Sequence, residues 1–181
     1  ALELAASIAG DAAGDGGGKG GNVPALPHGL KVLVADDIAM NRKLLRRVLE
    51  QQLGAGWEVS EAATAEEVLR LHLEEGARYD LLVLDEIFAR DPGEELMRGS
   101  EATRQLRAAE VRTPIIACSG NAAGADSEKK FRVAGADLVW GKPFPNFTDG
   151  SMQRDLARLL GGGVARATSE GGVSSSSTSS S

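Results

Sequence analysis

Residues 31–41 read KVLVADDIAMN, an apolar run (Val32, Leu33, Val34, Ala35) that stops on two adjacent carboxylates, Asp36 and Asp37. Side chains alternate between the two faces of a strand, so neither aspartate belongs to the buried pattern. A strand apolar at every position is covered on both sides, as in a parallel sheet with helices over each face. Two like charges at the mouth of such a core raise each other's pKa and weaken the fold. They persist where something cationic sits beside them.

The same pattern returns along the chain. Residues 41–53 place Leu44, Leu45, Val48 and Leu49 on one face and stop at Gly54, which predicts a helix. Residues 57–60, WEVS, read as a short strand. Thr64 caps a helix carrying Val68, Leu69, Leu71 and Leu73, with Glu67 completing a capping box. DLLVLD (80–85) is a second fully apolar strand that ends on a carboxylate. A helix over 100–109, a strand PIIACS (114–119), a helix over 127–134, a strand DLVW (137–140) and a last helix over 152–160 follow. Five strands alternating with five helices predict an α/β fold: one doubly wound, five-stranded parallel sheet with helices on both faces.

The chain has 181 residues, 42% of them hydrophobic, which suits one domain with a real core and tails. A formal charge of −6 argues against a nucleic-acid partner. The one dense basic stretch, Arg42, Lys43, Arg46 and Arg47, recurs at i,i+4 and reads as a solvated helix face. Cys118 is the only cysteine, so an intrachain disulfide is excluded and a reducing, cytoplasmic location is expected. Its surroundings, TPIIACSG, predict a small buried residue. No apolar run approaches a membrane span, and no membrane contact is expected. ALELAASIAG lacks a basic leader and makes a poor signal peptide. Beginning with Ala rather than Met, the chain reads as a processed or excerpted product. Residues 1–29 predict a flexible Gly-rich segment. Its GDGGGKGG is a poor phosphate loop, because Lys19 is followed by Gly20 and no strand precedes it. Residues 161–181 predict a disordered Gly/Ser-rich tail, which leaves 30–160 as the folded domain.

In open parallel sheets the site lies at the carboxyl ends of the strands. Here those ends carry Asp36-Asp37, Asp85, Ser119 and, after the fifth strand, Lys142-Pro143. Three carboxylates, a hydroxyl and an ammonium therefore converge on one rim. A hard divalent cation, Mg2+, would neutralise the carboxylates through oxygen ligands.

With the acid pair, Asp85 closing YDLLVLD, Ser119 after TPIIAC and Lys142-Pro143 after GADLVWG, residues 30–160 closely resemble a known family. It is the receiver domains of two-component response regulators and hybrid histidine kinases. GSEATRQLR (99–107) is similar to the family's third helix. DDIAMNRKLL, with Asn41 where it stands, is more similar to the hybrid-kinase and phosphorelay branch than to the DNA-binding regulators. The resemblance implies strand order 2-1-3-4-5 and a phospho-accepting role in a phosphorelay. Asp85 would be the nucleophile, taking a phosphoryl group from a histidine kinase or a histidine phosphotransfer protein. Mg2+ would be bound directly by Asp37 and Asp85, through water by Asp36, and by the backbone carbonyl of Ile87. Lys142 would neutralise phosphoryl oxygens and Ser119 would donate a hydrogen bond to the phosphoryl group. Lys142-Pro143 is expected to be cis. Such a domain catalyses its own phosphorylation and dephosphorylation, and a hybrid kinase or a stand-alone receiver is the expected parent.

The chain also departs from the family. Phe88-Ala89 stands where Met-Pro is usual, and Met97-Arg98-Gly99 where Met-Asp-Gly is usual. An insertion, ARDPGEEL (89–96), lengthens the loop between them. Val139 occupies the position of the switching aromatic residue, with Trp140 next to it on the other face. His72, in VLRLHLEE, reads as an inert helix-surface histidine. Two rival readings compete with this one. A pseudo-receiver, an interaction module without phosphorylation, usually loses the acceptor, the acid pair or the lysine, and all are present. A Mg2+-dependent phosphatase of the haloacid-dehalogenase type needs a second acid two residues after its nucleophile, and Ile87 stands there.

Overall fold

In the computed structural model, which describes residues 24–53, 56–88, 96–120 and 124–167, strands and helices alternate throughout. In chain order they are β1 Lys31–Ala35, α1 Ala39–Arg47, β2 Glu58–Ala62, α2 Ala65–Leu69, β3 Leu81–Asp85, α3 Gly99–Ala108, β4 Ile115–Gly120, α4 Gly124–Ala134, β5 Leu138–Lys142 and α5 Ser151–Ala167. The strands form one parallel sheet in the order β2-β1-β3-β4-β5, as expected. Alternation along each strand builds two cores. Val32, Val34, Leu81, Val83 and Ile116 meet Leu45 and Leu49 of the α1 side and Met152 and Leu156 of α5. Leu33, Ala35, Leu82, Leu84 and Ile115 meet Val68 of α2 and Ala102 and Leu106 of α3. Among the described residues no helix is long and apolar enough to cross a membrane.

Several boundaries move for identifiable reasons. The ladder between β1 and β2 is prolonged by a bond from Asp36 N to Ala62 O at 3.3 Å, so β2 runs past residue 60. α1 starts at Ala39, two residues early, after the Asp36 carboxylate has taken up the Ile38 amide at 2.8 Å. α1 and α2 each continue as a π-wound segment, Val48–Gln52 and Arg70–Glu74. Wider winding turns the chain less per residue, and Leu73 leaves the apolar stripe to become exposed. Thr64 caps α2 by accepting from the Glu67 amide at 3.1 Å, while Glu67 reaches back to the Ala63 amide rather than to Thr64.

The end of the expected linker is packed. Leu26 is buried, the Trp57 indole donates to Pro27 O at 2.7 Å, and Gln153 donates to Pro24 O at 3.0 Å. α5 continues to Ala167, past the expected boundary at 160 and through Gly161, Gly162 and Gly163, whose weak helix propensity had set that boundary. The Lys19 stretch, Gly54, residues 89–95 of the insertion and the tail from 168 lie outside the described residues. His72 is half-buried rather than on an open surface, stacked 6.2 Å from the Tyr79 ring. Its Nδ1 is buried without a partner among the described residues, and burial, aided by Arg78, holds its pKa below the ordinary value. Trp140 is buried and donates to Asp155 at 3.2 Å, beside a half-buried Val139.

Candidate functional site

Strand register assembles the site. Ala35 lies beside Leu84, so the next residues, Asp36 and Asp85, meet at the carboxyl edge. Asp85 lies opposite Cys118, which brings Ser119 to the same edge, and Gly120 lies opposite Lys142. Lys142 is the last residue of β5 rather than one beyond it, and the Lys142-Pro143 peptide is cis. Its ammonium stands 2.9 Å from Asp36 Oδ2 and 2.9 Å from Asp85 Oδ1. A cationic partner for the acids is thus supplied by the chain itself.

The expectation that both aspartates lie outside the buried pattern fails for Asp36, which is 1% exposed. Asn41 Nδ2 donates to both of its oxygens at 3.1 Å, and the Ile38 amide and Lys142 complete the set. That donor shell offsets the cost of removing a carboxylate from water. Asp37 is half-exposed. Asp85 and Ser119 are buried, not at an open rim. Burial pushes the Asp85 carboxyl up to about 6; Lys142 works against the rise and Asp36 adds to it. Burial opposes the charge on Lys142, yet Asp85 and Asp36 together hold its pKa above the ordinary value. The Cys118 thiol, buried as expected, is pushed up by the same desolvation.

One ligand atom from each of Asp36, Asp37 and Asp85 lies within 4.8 Å of the others. Three hard oxygen donors this close suit Mg2+. Ile87, whose carbonyl is the expected fourth ligand, follows two residues after Asp85 with its side chain 49% exposed.

Arg42 was expected on a solvated face but turns inward. It donates to Asp36 O at 2.6 Å and Asp37 O at 3.3 Å, and pairs with Glu61 at 3.2 Å. Lys43, Arg46 and Arg47 do face solvent. Glu86 escaped sequence reasoning altogether. Its buried carboxylate accepts from Ser100 N at 2.9 Å and Ser100 Oγ at 3.0 Å, and its carbonyl accepts from Gly99 N at 3.1 Å. A Cβ on Gly99 would lie 1.9 Å from the Asp85 carbonyl oxygen, so α3 begins directly against the Asp85 backbone. The signals were a carboxylate directly after an apolar strand and Arg98 where the usual motif has Asp.

A family model described as response regulator receiver domain matches residues 32–148. The rice protein named Two-component response regulator ORR41 (Oryza sativa subsp. japonica) is 35% identical over 114 residues, 63% of this chain and 84% of that one. Histidine kinase CKI1 of Arabidopsis thaliana is 38% identical over 124 residues, 63% of this chain but only 11% of that protein. A solved receiver domain from Methanospirillum hungatei, described as CheY-like, superposes with a TM-score of 0.58 at 24% identity, covering 79% of this chain and 99% of that one.

Proposed function

The chain belongs to the response regulator receiver domain family of two-component systems, and from that premise we propose that it accepts a phosphoryl group on Asp85 within a phosphorelay. The observation that carries the reading is one ammonium, Lys142, 2.9 Å from each of two buried carboxylates, with Asp37 completing an acid cluster. Above a pKa of about 6, Asp85 is ionised and its oxygen is a nucleophile. An Asp85 O–P bond forms as the P–N bond of a phosphohistidine breaks. The imidazole, protonated on its other nitrogen, departs with the bonding electrons as the neutral ring. Lys142 then neutralises a phosphoryl oxygen in place of the carboxylate charge, and Ser119 donates to the same group. Asp37, Asp85, the Ile87 carbonyl and, through water, Asp36 would hold Mg2+. When bound, Mg2+ supplies charge neutralisation for the phosphoryl oxygens.

The proposed partner is a histidine kinase or a phosphotransfer domain that presents its histidine on a helix. Ile38 and Met40, 47% and 55% exposed at the start of α1, offer it an apolar surface near the acceptor. The test is incubation with Mg2+ and acetyl phosphate. An acid-stable, base-labile mass increase of one phosphoryl group is expected, and Asp85→Asn abolishes it. Undiminished labelling of that variant sinks the assignment, and an unlabelled wild type favours the pseudo-receiver.

A further inference from the structure

Next to the acceptor stands a second carboxylate that takes no part in the acid cluster. Glu86 is 1% exposed, and both of its oxygens are engaged by Ser100, fourteen residues later. A buried carboxylate is tolerated where donors surround it, and the free amides of a helix's first turn are such donors. Ordinarily the residue adjoining the helix supplies that acceptor. Arg98, at the cap position of α3, makes no side-chain cap bond; its guanidinium stands 4.0 Å from a Glu86 oxygen instead, and Glu86 caps the helix from the far end of the connection.

Residue 86 is anchored at three points. Its amide donates to Cys118 O of β4 at 3.2 Å, its carbonyl accepts from Gly99 N at 3.1 Å, and its carboxylate holds Ser100. Peptide planarity carries that restraint to the residues on either side. Those residues are Asp85 and Ile87, the proposed nucleophile and the proposed carbonyl ligand. On the Asp85 side the fit is close, since the Asp85 carbonyl oxygen occupies the space a Gly99 Cβ would need.

We propose that Glu86 is a positioning residue: it fastens the backbone of Asp85 and Ile87 to the start of α3 and so holds the cation-binding oxygens in place. The connection between β3 and α3 is closed at its base by this contact, so residues 89–96 can be added without shifting the acceptor. The proposal rests on the receiver reading for its purpose, but the clamp has a readout of its own.

Two measurements on the full chain test it: Mg2+ titration by calorimetry, and amide hydrogen exchange at residues 86–88 in metal-free buffer. The variants are Glu86→Ala, Glu86→Gln and Ser100→Ala. Glu86→Gln keeps both contacts, its amide oxygen accepting from Ser100 N and its amide nitrogen donating to Ser100 Oγ, so it binds Mg2+ like the wild type. Glu86→Ala binds about tenfold more weakly or worse, the scale expected when a ligand loses its support, and exchanges faster at 86–88. Ser100→Ala, which loses one contact and folds more safely, shifts both readouts in the same direction by less. Wild-type affinity and exchange in Glu86→Ala, even with a lowered Tm, would reduce Glu86 to a helix cap and overturn the proposal. Equal losses in the Gln and Ala variants would overturn it too, because charge rather than hydrogen bonding would then be at work. A wild type that fails to bind Mg2+ defeats the phospho-accepting reading, while the exchange comparison still decides the clamp.

Discussion

Replacing Asp85, the proposed acceptor, should make the metal-free protein more stable. The Asp85 carboxyl is raised from 3.8 to about 6, chiefly by burial. The native state therefore favours the neutral form. The associated stability is fully present below pH 3.8 and is lost as pH rises through about 6. Asn has nearly the shape of the neutral carboxyl and cannot ionise, so Asp85→Asn keeps at pH 7.5 what the wild type loses. The difference is about 3 kcal/mol at pH 7.5, and it shrinks to about 1 kcal/mol by pH 4.5. Urea titrations with a chelator present read it as a midpoint higher by about 1–3 M. Adding Mg2+ should close most of the gap: at about 100 times its Kd, a cation bound only to the native wild type stabilises by about 2.7 kcal/mol. A variant less stable than the wild type at pH 7.5, or a gap that does not narrow toward pH 4.5, would refute the reasoning.

Gly99→Ala sets a methyl against the Asp85 carbonyl at 1.9 Å, backbone that cannot yield, and should cost about 1–3 kcal/mol and weaken acceptor labelling; an unaltered melting curve would disprove the close approach. Arg42→Gln removes the 2.6 Å bond to Asp36 O and the pair with Glu61, with an expected loss of about 1–3 kcal/mol in chemical denaturation, and equal midpoints would mean the contact contributes nothing. Ile38→Lys with Met40→Lys should slow transfer from a protein donor and spare labelling by acetyl phosphate, whereas equal loss with both donors would indicate a folding defect instead. Ile87→Asn offers a polar group beside the acceptor to orient an attacking water, so the aspartyl phosphate should decay faster, as followed by mass over time; equal or slower decay removes Ile87 from the account.

The fold was legible because its signals are local. VLVA and LLVL are apolar at every position, and only a strand covered on both faces tolerates that, so parallel pairing and flanking helices follow from residues 32–35 and 81–84. The chemistry at strand ends was legible for the same reason, since the charged residue directly follows the apolar run. Element boundaries were less so: whether β2 runs on to Ala62 depends on a bond from Asp36, and the π-wound ends of α1 and α2 leave no mark in the apolar periodicity. Tertiary structure alone decided that Asp36 is buried, because its partners include Lys142, 106 residues away. The inward turn of Arg42 toward Glu61 and the capping of α3 by Glu86 were settled in the same way. Periodicity records which face of an element avoids water. The cost of burying a charge depends on the donors that surround it, and those come together only when distant strands pair in register.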